Sequence, residues 1–295
     1  MSGNNRFKRV IIWGHKLHTH THSYIHYGFF KAFQSMGYET HWLDNHDSTL
    51  GLDFSGSLFI TEGQVDSGIP LIKDSYYVLH NTPSQRYIDA GCKTLTIQVY
   101  TRDVPSRGVS ENYYTVMEGI GKVDCLYMPW ATDLLPSEIN PNNAINSQNM
   151  VSVWVGTAQE NLGKFFNECR NNGIKVESID PWTTPISPER NVSLIHDSYI
   201  SPALQSNWQV EHGYIPCRIF KNISYGHFGY TNSDVVRNVF EDLVVYDKDP
   251  GSLFYKALEE KNSENHLKKL KNLMILVKEK HTYINRIENI LSCLP

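Results

Sequence analysis

Arg218 and Lys221 stand three residues apart in the run Gly213-Tyr-Ile-Pro-Cys-Arg-Ile-Phe-Lys-Asn222, a spacing that puts both cations on one face of a helix. Pro216 predicts the opening of that helix, since the first turn leaves its N–H groups unbonded and proline lacks one. Two cations beside exposed helix N–H groups can hold a phosphate or diphosphate. The same pair on an isolated surface helix would be only a solvated basic patch, so the surroundings decide. A predicted strand (YISPAL, 199–204) and a loop precede the helix, Gly226 ends it, and the segment Gly229-Tyr-Thr-Asn-Ser233 follows. Tyr214 before the helix, and Asn232 and Ser233 after it, join the candidates.

A second concentration of chemistry follows the first predicted strand, where His15, His18, His20 and His22 crowd one loop. In an extended segment His18, His20 and His22 would share a face and could chelate a metal. No carboxylate or cysteine stands nearby to complete the set, so no metal site is expected. A neutral histidine can instead take the proton of an attacking hydroxyl. His22, just before the expected helix cap Ser23, is the first candidate base and His20 another; a polar loop that binds nothing is the other reading. Glu62 after SLFIT, His80 at the end of YYVLH, and Asp103 after TLTIQVY fall at the C-terminal ends of predicted strands. Glu62 is a third candidate base. His80 and Asp103, with His15 and His18, are expected on the acceptor side, and each also reads as a turn or cap residue. Gly156-Thr157 can offer backbone to a phosphate. Asp247-Lys248-Asp249 matches a metal-holding D-x-D, but it runs into Pro250-Gly251 and reads as a turn. Trp154, Trp182 and Trp208 read as core.

The elements that must position these residues alternate. An apolar run (8–13), a helix from about 23 to 36 and a strand at 39–44 make a Rossmann-like opening. Further strands are predicted at 57–61, 76–80, 94–100 and 124–128. The stretch 134–149 is rich in Pro, Asn and Ser and reads as a linker. A second alternation starts at MVSVWV (150–155), passes through the helix AQENLGKFFNECRNNG and the strand KVESID, and reaches the Arg218 helix; Asp234 is expected to cap the next one. The expected organisation is an N-terminal Rossmann-like domain (1–133), the linker (134–149), a second Rossmann-like domain (150–278) and a terminal helix (279–295). The fold class is α/β, two Rossmann-like domains facing a cleft, with ligands at strand C-termini.

Composition narrows the function. At 295 residues there is room for two cores. A net charge of −4 provides no bulk attraction to phosphate backbone, so no nucleic-acid partner is expected. The 5 cysteines show no C-x-x-C spacing, which suits reduced thiols. MSGNNRFKR leads straight into a strand and no apolar run nears the ~20 residues of a membrane span, so a cytoplasmic protein without a membrane segment is expected. Asn191-Val-Ser193 and Asn222-Ile-Ser224 match the glycosylation sequon by chance on this reading.

Residues 213–226, with VSVWVG (151–156), DCLYMPWATD (124–133) and HTYINRIENIL (281–291), resemble GT-B glycosyltransferases of the CgeB-like and group 1-like kinds found in bacteria and viruses. The resemblance implies that 1–133 is the acceptor-side domain and that the C-terminal donor domain (150–278) binds a nucleotide-diphosphate sugar, with Arg218 and Lys221 on the diphosphate. It implies base or ribose contacts from His196, Ser198 and Tyr199, a metal-independent reaction without a cofactor, and a terminal helix returning to the N-terminal domain. Lys221 stands where many retaining members carry the first Glu of E-x7-E, and Gly229 at the second, so the retaining outcome does not carry over. A lysine there suits pyrophosphate by charge. The expected function is sugar transfer to a hydroxyl of a glycan or similar acceptor. A catalytically degenerate binder of nucleotide or glycan, and a sugar-nucleotide epimerase of the same fold, are the alternatives.

Overall fold

The first strands are short apolar runs, and they assemble side by side because only burial on both faces suits such runs. In the computed structural model, β1 (Val10–Trp13), β2 (Thr40–Leu43), β3 (Leu58–Thr61), β4 (Tyr76–His80), β5 (Lys93–Gln98), β6 (Val116–Ile120) and β7 (Val123–Tyr127) form one sheet. Its order is β2-β1-β3-β4-β5-β7-β6. Every pairing is parallel except that of the edge strand β6, which runs antiparallel to β7. The structure describes residues 6–14, 16, 21–61, 68–80, 85–100, 116–120, 123–181 and 183–294, without the side chains of 21, 22, 116–120 and 123–125.

The strand order reverses between β1 and β3, and a doubly wound sheet opens its ligand crevice at such a point. Both strands end there, at Trp13 and Thr61. The Gly14 carbonyl that follows β1 accepts from Trp42 Nε1 (2.9 Å) and from His26 Nδ1 (2.7 Å), so His26 is a buried structural donor. Helix α1 covers Thr21–Ser35, so the expected cap Ser23 lies inside it, fully buried. The short α2 (Gln85–Asp89) places Tyr87 in a core with Phe59 and Tyr77, whose rings stack at 4.6 Å.

The chain forms two units: one holds β1, His22–Pro129 and Tyr283–Pro295, the other Trp130–Thr282. The division thus falls at 129/130 and 282/283. The stretch 134–149 belongs to the second unit. Ile139 is buried, Lys261 Nζ donates to Ser147 O (2.6 Å), and Asn146 Nδ2 donates to Lys261 O (2.9 Å). Its asparagines serve as caps and turns; Asn140 accepts from Asn142 N at a 3₁₀ turn, Pro141–Asn143.

In the second unit β8 (Val151–Val155) pairs in parallel with β9 (Lys175–Ile179), and β10 (Tyr230–Thr231) with β11 (Val245–Tyr246). Residues 199–204, expected as a strand, join the two pairs without forming a regular ladder, because Pro202 has no N–H to give. Tyr199 N donates to Val151 O (2.7 Å) and Ala203 N to Tyr230 O (2.8 Å), while Ser152 and Ser201 hydroxyls complete the pairing to Ile200 O and Val153 O. The strand-like order is therefore β9, β8, 199–204, β10, β11, and it reverses between β8 and 199–204.

Helices α3 (Glu160–Asn171), α4 (Pro188–His196), α5 (Asn207–Glu211), α6 (Cys217–Ser224), α7 (Asp234–Val239), α8 (Pro250–Lys261) and α9 (His266–Lys280) complete this unit. α10 (Tyr283–Cys293) belongs to the first, where Tyr283 lies against Phe29, with ring centroids 4.5 Å apart. α5 replaces an expected loop. Ser233, not Asp234, caps α7 through its side chain. Asn191 and Asn222 are 1% exposed, which rules out glycosylation at either sequon in the folded chain. Among the described residues no helix is long and apolar enough to cross a membrane.

A buried histidine ties α6 to the central segment. His227 Nε2 accepts from Ser201 N (3.1 Å), which leaves Nδ1 as the donor to Phe228 O (3.1 Å), so the neutral ring is fully used. Burial pushes its pKa down to about 3 from 6.5. The unfolded chain therefore takes up a proton that the folded chain refuses. The stability this group contributes is complete above about pH 6.5 and is lost as pH falls toward 3. Melting temperature should fall with acidification over about pH 6 to 4, and His227→Gln should flatten that slope. An unchanged slope would show that other groups govern acid unfolding.

Candidate functional site

β8 ends at Val155, and Trp154 just before it turns its indole toward α6. Trp154 Nε1 donates to Gly156 O (2.9 Å) and Thr157 O (3.2 Å), which folds the chain tightly past the strand. Gly156 makes this turn at φ 142°, and its N–H is already given to Ile179 O (2.8 Å). Gly156 is therefore not a backbone donor for a phosphate, as its place after a strand had suggested; its role is to leave room. A Cβ there would lie 2.0 Å from Arg218 Nη2.

Into that room comes Arg218 from the first turn of α6. Pro216 is the N-cap of this helix, not its first residue, and it supplies no side-chain cap bond. The Arg218 guanidinium lies 3.5 Å from the Trp154 ring centroid, a cation–π seat. Its Nε and Nη2 donate to Val155 O at 3.2 and 2.8 Å. Its other N–H groups have no protein acceptor among the described residues, and no carboxylate pairs with it. Loss of water brings its pKa down to about 10, so it stays charged at neutral pH.

The guanidinium lines a pocket of about 300 Å³ with Trp154, Thr157, Gln159, Gln209 and Tyr214. The pocket also takes in Leu204 and Ser206, so it sits where strand order reverses, at the C-terminal ends of β8 and 199–204. Among the described residues no aspartate or glutamate lines it. A cation without a counter-ion, the uncapped first turn of α6 and amide donors make a cavity suited to an acceptor-rich anion.

The other expected residues fall elsewhere. Lys221 is buried one turn along α6, its ammonium 5.9 Å from the Tyr225 ring, and is not among the residues lining this pocket. Tyr199 pairs with Val151, at the start of β8, so His196, Ser198 and Tyr199 lie at the opposite edge of the ladder from Arg218. His196 contacts Asp197 (2.9 Å) and Asn143 O (3.2 Å), and Tyr199 carries the Lys261 ammonium on its ring at 4.2 Å. They are not among the residues that line the Arg218 pocket, because the length of β8 lies between the two ends of the ladder. Asn232 is spent on the backbone of Gln205 (2.8 and 2.9 Å), and Ser233 on its helix cap. Asp247 accepts from Asp249 N (2.9 Å) and pairs with Lys256 (2.8 Å), while Asp249 caps α8, so the D-x-D is turn and cap chemistry.

On the first unit, His15, His18, His20, Glu62 and Asp103, like Trp182, lie outside the described residues, and His22 is described in its backbone alone. In sequence, the histidines and Glu62 directly follow β1 and β3. His80 is the half-buried last residue of β4. Trp154 is core and pocket floor at once. Trp208 is not core: it is 51% exposed and stacked on His212 at 4.2 Å. Gln159 and Gln209 escaped the sequence reading. The signal was there in each, since Gln159 directly precedes a helix and Ser206-x-x-Gln209 is a capping-box pattern.

Two α/β units, the second with a cation-bearing pocket at its strand-order reversal, are the architecture of the GT-B class, and this chain has that fold. Among solved structures it is similar to an alpha-glucosyltransferase in complex with UDP, at a TM-score of 0.54 and 10% identity over 96% of this chain and 99% of that one. It is also similar to an alpha-glucosyltransferase with UDP and a 13-mer DNA containing a HMU base (TM-score 0.52, 10% identity, 97% and 100% covered). A third, with UDP and a 13-mer DNA containing a central A:G mismatch, gives TM-score 0.57 and 9% identity over 96% and 98%. No protein-family model matches the chain, and no curated protein does.

These structures correct one expectation. The net charge had argued against any nucleic acid, yet two of the similar proteins hold DNA. Net charge sums the whole surface, whereas a strand of nucleic acid meets only one local face, and that face can be favourable on a chain that is negative overall.

Proposed function

We propose that the protein is a glycosyltransferase that takes its sugar from a nucleotide-diphosphate donor and passes it to a hydroxyl carried by a nucleobase of DNA. The observation that carries the donor half is Arg218: a half-buried guanidinium, stacked on Trp154, in a pocket where the described residues include no acid and no counter-ion. A diphosphate supplies the missing charge, and neutralising it as it leaves is the catalytic demand of glycosyl transfer from such a donor. The fold shared with UDP-bound glucosyltransferases supports UDP as the nucleotide, and the DNA in two of them supports the acceptor. The proton of the attacking hydroxyl is assigned to the histidines that follow β1, His22 first, with Glu62 as the other base. The reaction is proposed to run without a metal.

The test combines binding and transfer. UDP and a UDP-sugar should raise the melting temperature, by about 2.7 kcal/mol of added stability at a hundredfold excess over Kd. Incubation of UDP-sugar with duplex DNA containing an HMU base should leave labelled sugar on the DNA, and unmodified DNA should stay unlabelled. Transfer to neither DNA would overturn the acceptor. Absence of stabilisation by any nucleotide diphosphate would overturn the donor.

A further inference from the structure

Two glutamines in the Arg218 pocket have had their amides oriented by helix caps. Gln159 is the N-cap of α3, and its Oε1 accepts from Asn161 N at 2.7 Å. Gln209 closes the capping box of α5: its Oε1 accepts from Ser206 N at 3.1 Å, and Ser206 Oγ accepts from Gln209 N at 3.3 Å. With the oxygen of each amide held by a backbone N–H, the end not used by the cap is the NH₂, a donor. Gln159 Nε2 is buried and has no hydrogen-bond partner among the described residues. A buried amide donor left unpaired is costly, and the cost vanishes when an acceptor arrives.

We infer that Gln159 and Gln209 are donor-binding residues that give their amide N–H groups to the non-bridging phosphoryl oxygens of the nucleotide diphosphate. The inference rests on the reading of the Arg218 pocket as the diphosphate site. Phosphoryl oxygens are acceptors only and carry the charge that Arg218 lacks, so donor groups from three residues that line one pocket match them. The caps give the arrangement its rigidity. Each amide is held by the same bond that starts a helix, so the donors are oriented before the ligand enters.

The variants Gln159→Glu and Gln209→Glu test this, because a carboxylate oxygen keeps each cap while the donor becomes an anionic acceptor. Ser-x-x-Glu is itself a capping box. Each variant should melt within a degree or two of the wild type without ligand, yet bind UDP about ten- to a hundredfold more weakly by calorimetry. The loss should persist at about 0.5 M salt, where charges not in contact are screened. UDP affinity within about twofold of wild type, or a loss that disappears in salt, would overturn the inference while leaving the Arg218 reading intact. A wild-type protein that binds no nucleotide diphosphate would overturn both, and an Arg218→Ala variant that binds UDP normally would remove the reading on which the inference stands.

Discussion

Arg218→Ala should abolish sugar transfer and weaken UDP binding by about 10²- to 10³-fold, equivalent to about 3–4 kcal/mol, without loss of the fold. The size follows from what surrounds the guanidinium. The cation is half-buried, and among the described residues that line its pocket no carboxylate meets it. Val155 O and the Trp154 face hold the group in place, but neither neutralises it. In the unliganded protein that charge rests on solvent and on the Trp154 face, and a bound anion is what neutralises it. Its removal should leave the melting temperature of the free protein unchanged or slightly higher, while the UDP-induced rise disappears. Arg218→Lys should not restore binding, because an ammonium cannot stack on the indole and present a fork at once. Undiminished UDP affinity in Arg218→Ala would show that the diphosphate lies elsewhere.

Gly156→Ala should reproduce much of that loss from a residue that gives the ligand nothing. Two constraints meet at this position. The backbone has φ 142°, a conformation L side chains rarely adopt, and a Cβ would stand 2.0 Å from Arg218 Nη2. The backbone is not free to retreat, since Gly156 N is bonded to Ile179 O (2.8 Å) and Gly156 O to Trp154 Nε1 (2.9 Å). The guanidinium is the end of a flexible side chain and is the part that moves. Stability should drop by about 1–3 kcal/mol from the strained backbone, and UDP affinity should fall at least tenfold. Because both substitutions act on one group, their binding losses should not add: Gly156→Ala in an Arg218→Ala background should cost little further affinity. Additive losses, measured by calorimetry on the four proteins of the cycle, would mean that Gly156 meets the ligand itself.

Much of the fold was legible because its signals are local. The apolar runs of β1, β3, β4, β5 and β8 are buried strands, and Gly226 and Pro216 bound α6 within one residue of where they were expected. Errors arose where local pattern and tertiary pairing differ. Residues 199–204 have strand composition, yet Pro202 breaks the ladder and serine hydroxyls take over the bonds. The stretch 134–149 has linker composition, yet Ile139 and the Lys261 contacts bind it into the second unit. The resemblance had assigned base or ribose contacts to His196, Ser198 and Tyr199. A parallel segment has two ends, and they stand at the one away from the pocket.

The sequence by itself determined the strand–helix alternation, the two α/β units and the choice of Arg218. Those follow from hydrophobic period, turn residues and one cation at a helix start, all of which act within a few residues. Only the tertiary structure decided what surrounds Arg218. Its stacking on Trp154, its approach to Gly156 and the absence of any acid around it are relations between segments some sixty residues apart, as in the Arg218–Val155 bond with its separation of 63. Electrostatics depends on distance in space, and a chain distance of that length leaves it undefined until the two strand ends meet.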